Sequence, residues 1–272
     1  MFLRKNWTVR VTILIFFAIA VTGTGVNIRV NEGLSPTAIS EVGMLGTDVL
    51  MTSVIGSLPF TGRWMVGYTP AQKVPSHGTD MYGVGYAIDF MAVDEQNRTS
   101  PTISWRSLLA TEPPENFYAF GQPVLSPVSG TVVTVHDGEL DHEARRSFVA
   151  LLPYMLGQPS RIRNGINAIA GNHVMIAPDD SNAFIAIVHL QFGSIQVIQG
   201  QRVFEGQYLA NCGNSGNSTQ PHIHIQAMSD TDISVASGVP LFFRRFSQYD
   251  SGLGDSKVRE YAIPNANSVV SQ

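Results

Sequence analysis

The 272-residue chain contains one cysteine, Cys212, and only three lysines, Lys5, Lys73 and Lys257. A single cysteine excludes an intramolecular disulfide framework and a multi-cysteine zinc knuckle, so any metal site must rest mainly on histidine and carboxylate. Charged residues make up 14% of the chain, and the formal net charge is −4. Arg4, Lys5 and Arg10 lie in an acid-free N-terminus; without them 14 basic residues face 21 acidic ones, a balance of −7. The body offers only isolated basic pairs such as Arg145-Arg146 and Arg244-Arg245. That argues against nucleic acid as a partner, because phosphate binding needs a clustered basic surface, and it leaves no polybasic membrane patch. No internal repeat of roughly 20 to 50 residues is visible, which removes solenoids and propellers.

What the N-terminus does have is a basic start, MFLRKNWTVR, followed by the apolar run VTILIFFAIA. This pattern predicts an export signal or membrane anchor over residues 1–26. Ala18-Ile19-Ala20 resembles a cleavage site, while the weaker apolar continuation to Val26 fits an uncleaved anchor helix. Either form puts the body outside the cytoplasm, secreted, periplasmic or membrane-anchored. Residues 27–57 read as a lead-in of short strands or loops. From Leu58 onward short β-branched runs such as YAIDFMAV, GTVVTVH, HVMIA, FIAIVHL and PHIHIQA alternate with Gly, Pro, Asp and Asn, which predicts a mainly antiparallel β domain over 58–246. PVLSPVSGTVVTV and GQRVFEGQYLANCGNSG resemble elements of barrel-sandwich hybrid folds. The carriers built on that architecture need a lysine at a hairpin tip, and these elements have none. Residues 138–170 read as an insertion containing a helix from His142 to Gly157 that Pro153 would kink or stop. Residues 247–272 read as a mobile tail.

His222 and His224 are separated by one residue in a strand-like run, so both imidazoles point to the same face. Metal binding is one shared task that would use them; a solvated pair on an exposed face is the plain alternative. His189 shares its expected strand face with Ile185 and Ile187, where a core histidine with a satisfied ring competes with a functional one. Asp89 is embedded in YAIDF, a costly setting for a carboxylate unless it is paired with an Arg, turned to solvent or bound to a cation. His77 lies in a turn, Pro75-Ser76-His77-Gly78, leading toward the same strand. Cys212 reads as a small, partly buried thiol, and His136, His142 and His173 as surface or structural residues.

In this order SHG, YAIDF, GQPVLSPVSGTVVTV, GNHVMI, the strand ending in His189-Leu190, GQRVFEGQ and GNSGNSTQPHIHIQ resemble the lysostaphin/LytM-like zinc metalloendopeptidases, over roughly Leu58 to Met228. The resemblance implies Zn2+ bound by His77, Asp89 and His224, with His189 and His222 as the catalytic pair and a peptidoglycan peptide as substrate. It departs from the common pattern twice. Family members often place the Asp four positions after the first His, which leaves Asp80 as an alternative ligand to Asp89, and Ile187 stands where relatives often carry Tyr. Two further readings remain: a catalytically silent member that binds cell wall or regulates a hydrolase, and an exported zinc peptidase acting on a non-wall peptide.

Overall fold

A computed structural model describes residues 53–101, 103–250 and 256–272. The expected signal or anchor, and residues 27–52 of the expected lead-in, lie outside the described residues. Among the described residues no helix is long and apolar enough to cross a membrane.

The expected mainly β architecture is present. In chain order the strands are β1 (Val54–Gly56), β2 (Trp64–Val66), β3 (Ile88–Ala92), β4 (Pro123–Leu125), β5 (Gly130–His136), β6 (Asn172–Pro178), β7 (Phe184–Leu190), β8 (Arg202–Val203), β9 (Tyr208–Asn211), β10 (Ile223–Met228), β11 (Gly238–Val239), β12 (Leu241–Tyr249), β13 (Lys257–Ala262) and β14 (Val269–Ser271). The main sheet runs β1-β12-β14-β2-β3-β10-β7-β6-β5-β8, with β11 on β10 and β13 on β12, while β4 and β9 form a separate pair. The ladders are antiparallel except β1 with β12, which makes the sheet mixed rather than purely antiparallel.

Alternation along the central strands sorts side chains onto two faces. Ile88 and Phe90 of β3, Ile223 and Ile225 of β10, and Ile185 and Ile187 of β7 enter the main core, where Phe60 stacks on Trp64 at 4.6 Å and meets Phe90 edge-on at 4.9 Å. Each such aliphatic or aromatic side chain contributes about 1.5–3 kcal/mol by burial. Ala186 and Val188 of β7 and Met228 of β10 face the other way, into a smaller cluster. The polar members of these strands that build the site share this second face.

The tail expected over 247–272 is corrected by the structure. β12 extends to Tyr249, and β13 and β14 pair with it, β14 lying between β12 and β2. Val269 and Val270, set among Ser and Asn in the sequence, are buried. An apolar pair in a polar context gives almost no periodic signal, yet it suffices to fill a strand position that the neighbours already define. The insertion is helical, as α1 (Trp105–Leu109) precedes it and α2 (Phe148–Leu156), α3 (Gln158–Arg163) and α4 (Ile166–Ala170) compose it. α2 starts later than expected because Ser147 caps it, its hydroxyl accepting from Ala150 N at 3.1 Å. Pro153 lies inside α2 without stopping it.

Candidate metal and catalytic centre

Three adjacent strands lay out the site. In the antiparallel register Asp89 of β3 stands opposite His224 of β10, and His224 stands opposite Val188 of β7. Directly opposed residues share a face, so a carboxylate and an imidazole meet there without any loop having to find the other.

His77 comes from outside the sheet. Its loop is tied down by Ser76, whose N–H donates to Gly85 O at 2.8 Å and whose hydroxyl donates to Val84 O at 3.1 Å. Asp80 reinforces the same turn, its Oδ1 accepting from Gly85 N at 3.0 Å and Gly238 N at 3.1 Å. Asp80 thus serves backbone amides, whereas Asp89 converges with the imidazoles. His77 Nε2 lies 3.3 Å from Asp89 Oδ2, and His224 Nδ1 lies 2.9 Å from Asp89 Oδ1.

His189 reaches the site through a backbone irregularity. Between Ile187 and Leu190 β7 advances three residues while β6, from Val174 to Asn172, advances two. This bulge places His189 at φ 61°, a left-handed conformation that costs a non-glycine residue on the order of 1 kcal/mol or more. Strict alternation would have left His189 beside Ile185 and Ile187. The extra residue instead turns its ring toward the second face, 4.9 Å from His222 and 5.8 Å from His224.

One nitrogen of each ring is held by the protein. His189 Nδ1–H donates to Ser215 O at 2.9 Å, and His222 Nδ1–H donates to Gln220 O at 2.8 Å. Since a carbonyl only accepts, both Nε2 atoms keep their lone pairs. Gln226 Nε2 donates to Tyr82 O at 2.7 Å, which turns Oε1 toward His224 Nε2–H at 2.9 Å and leaves His224 Nδ1 facing Asp89. His77 Nδ1 contacts the Ser76 hydroxyl at 3.0 Å, leaving Nε2 toward Asp89.

The charges follow from this packing. Burial would raise the Asp89 carboxyl, but His77 and His222, with His224 in contact, outweigh it and hold Asp89 well below the usual carboxylate range. Burial, reinforced by His222 and His224, pushes His189 well below the ordinary imidazole value; burial also lowers His222 against the pull of Asp89. Burial opposes protonation of His224 too, yet the adjacent Asp89 carboxylate wins and raises it. Tyr68, its ring 5.1 Å from His77, is raised by burial and by the Asp89 charge.

A cation fits this donor set. Asp89 Oδ1 is buried and has no hydrogen-bond partner: with Nε2–H given to Gln226 Oε1, the His224 Nδ1 that lies 2.9 Å away faces it as a lone pair. Donor atoms of His77, Asp89 and His224 lie within 4.8 Å of one another, as do those of His189, His222 and His224. An orphaned carboxylate oxygen facing imidazole lone pairs is costly unless positive charge sits between them.

All five residues singled out in the sequence therefore meet at one place, and His136, His142 and His173 do not. Sequence reasoning missed Gln226, although it lies two residues after His224 on the same face of β10, where period two would have pointed to it. It also missed Tyr68 and the carbonyls of Ser215 and Gln220, which no residue-type pattern marks.

The clustered imidazoles and carboxylate could hold a metal ion, they lie on a mainly β sheet, and the resemblance read from the sequence is borne out. Residues 160–235 match the sequence model of Peptidase family M23. That segment holds His189, His222 and His224; His77 and Asp89 precede it. No curated protein sequence matches the chain. Similar solved structures include the catalytic domain of the antimicrobial peptidase lysostaphin from Staphylococcus simulans, at 17% identity over 65% of this chain and 88% of that one, TM-score 0.33. The catalytic domain of a prophage-encoded M23 protein, EnpA, from Enterococcus faecalis matches at 19% identity over 68% and 93%, TM-score 0.37. A zinc-containing peptidase from Vibrio cholerae matches at 19% identity over 52% and 46%, TM-score 0.26. At TM-scores of this size nothing about the site rests on them. The family match supports a peptide-bond hydrolase.

Proposed function

We propose that the protein is an exported zinc metalloendopeptidase that hydrolyses peptide bonds in peptidoglycan. The observation that carries this reading is the partnerless Asp89 Oδ1 among His77 Nε2, His224 Nδ1 and the two neutral imidazoles of His189 and His222. His77, Asp89 and His224 would hold the ion, three protein ligands being the number that leaves a tetrahedral position for substrate chemistry. Zinc in such a site supplies Lewis acidity that draws charge from the scissile carbonyl.

The remaining chemistry belongs to the chain. His189 and His222 sit side by side with Nε2 lone pairs free, so one accepts the proton of the attacking water and delivers it to the leaving amine. The Nε2–H formed in that step can donate to the oxyanion until the proton passes to the leaving amine. The Nδ1–H bonds to Ser215 O and Gln220 O fix both tautomers, so no ring must reorient before it takes a proton. Gln226 does the same for His224, holding Nδ1 toward Asp89, where the ion would be bound.

Export rests on the N-terminal pattern, with residues 1–26 as signal or anchor, and the wall as substrate rests on the family match. Purified protein should solubilise sacculi, lose that activity to a chelator and regain it with zinc, with mass spectrometry of the fragments naming the bond. Zinc uptake with intact sacculi, but cleavage of a soluble peptide, would favour a non-wall peptidase. Binding to sacculi with no hydrolysis under any metal would make the protein a silent wall-binding member and end the enzyme reading.

A further inference from the structure

We propose that a cavity of about 60 Å3 between α4 and β7 is a subsite for a small aliphatic side chain of the substrate peptide, carried by a residue that flanks the bond to be cleaved. The assignment rests on the peptidase reading above and adds to it the class of substrate. Tyr82 and Val84 wall the cavity from the turn after His77, Ile166 and Ile169 from α4, Val188 from β7 and Ile233 from the loop after β10. The same cavity is lined by the His189 and His224 rings and by Gln226, so it adjoins the catalytic centre. A carbonyl held against His189 has its own residue's Cβ only two bonds away, within reach of a cavity that the same ring lines.

The lining selects the occupant by chemistry and by size. Its polar groups are already committed: Gln226 Nε2 donates to Tyr82 O at 2.7 Å, Gln226 Oε1 accepts from His224 Nε2–H at 2.9 Å, and His189 Nδ1–H donates to Ser215 O at 2.9 Å. A charged or amide side chain would give up its water there and find no partner. One water's share of liquid volume is about 30 Å3. A cavity of about 60 Å3 therefore takes an alanine- to valine-sized group and excludes an aromatic ring, while glycine leaves it unfilled.

The walls are braced around the gap. Tyr82 sits at φ 64°, a left-handed conformation costly for an aromatic residue, and its carbonyl is held by Gln226. α4 is tied at its C-terminal end, where Asn217 N–H donates to Ile169 O at 2.9 Å, in the same loop whose Ser215 carbonyl orients His189. Asp232 fixes the turn that carries Ile233: its carbonyl accepts from the N–H groups of Val235 and Ala236 at 3.1 Å, and its Oδ1 from Ser234 N–H at 3.0 Å. Ile166 and Ile169, three residues apart on the helix, stay half-buried although Val188 and Ile233 are buried. An unfilled aliphatic gap costs stability, and one kept open beside reacting groups points to an occupant that arrives with the substrate.

Selectivity tests the subsite in the full, zinc-loaded chain. Synthetic peptides that differ only in the residues flanking the cleaved bond are digested, and the fragments are identified by mass spectrometry. For bonds flanked by alanine or valine, kcat/KM should exceed that for glycine on the order of tenfold or more, and lysine, aspartate and phenylalanine should fare no better than glycine. Ile166→Trp, which fills the cavity, should bring the alanine-to-glycine ratio close to one, and Ile166→Ala should move the preference toward leucine. Each ratio is taken within one preparation, so any loss of folded protein cancels. Three results would overturn the subsite while leaving the peptidase reading standing: equal cleavage of glycine- and alanine-flanked bonds, ratios that neither substitution moves, or release from sacculi of a bond without a small aliphatic neighbour. Zinc-loaded protein that cleaves no peptide and leaves sacculi intact would end the peptidase reading and the subsite with it.

Discussion

Gln226 separates a holding role from a chemical one. Its amide accepts from His224 Nε2–H, on the far side of the ring from Asp89, so if His224 Nδ1 binds zinc as proposed, Gln226→Ala should weaken zinc binding by roughly 10–100-fold, measured by competition with a chromogenic chelator. His189→Ala should do the reverse and abolish hydrolysis while zinc stays bound. The five site positions were legible because chemistry restricts them to His and Asp and their spacing survives in sequence order. Gln226 was not, since a glutamine on a strand looks like any polar residue. Between the two aspartates the sequence left open, register separates them: Asp89 stands opposite His224, while Asp80 serves backbone amides.

The elements deliver what no single residue could. The bulge in β7 re-aims His189, and the loop after β9 holds it through Ser215, which also packs against the turn after α4. Gly171, at φ 63°, lets this packing happen, since a Cβ there would lie 2.5 Å from Ser215 Oγ. Gly171→Ala should therefore cost at least about 1–3 kcal/mol of stability in denaturant titrations and should lower kcat through Ser215 more than it lowers zinc content. A bulge is invisible to a period-two reading, which placed His189 on the core face with Ile185 and Ile187. The helical insertion was visible because α2 has apolar residues at helical spacing, but whether those residues face the core or solvent is decided by tertiary packing that the spacing does not encode.

For the whole molecule, the sheet order makes the C-terminus structural. β14 stands between β12 and β2, so a stop after Tyr249 would part β1 and β12 from the strands that carry the site and expose the buried edges of both. Such a chain should be insoluble or lack a cooperative thermal transition, whereas a dispensable tail would leave the transition unchanged. The acid side of the stability profile has a defined sign. Burial, helped by His136, lowers His173, and His189 and His222 are lowered likewise. Between the ordinary imidazole value of 6.5 and the lower folded values, the unfolded chain binds more protons. Stability is thus retained above 6.5 and falls as pH drops through the folded values, and His173→Gln should flatten that fall in denaturation midpoints measured against pH.

The central claim is that a zinc ion belongs among His77, Asp89 and His224. Its most direct test is zinc content after dialysis, by atomic spectrometry, for the protein and three variants. About one ion per chain is expected in the parent and in His189→Ala, and almost none in Asp89→Ala or His224→Ala. A parent that hydrolyses its substrate without zinc, or Asp89→Ala and His224→Ala proteins that retain a full ion, would contradict the account.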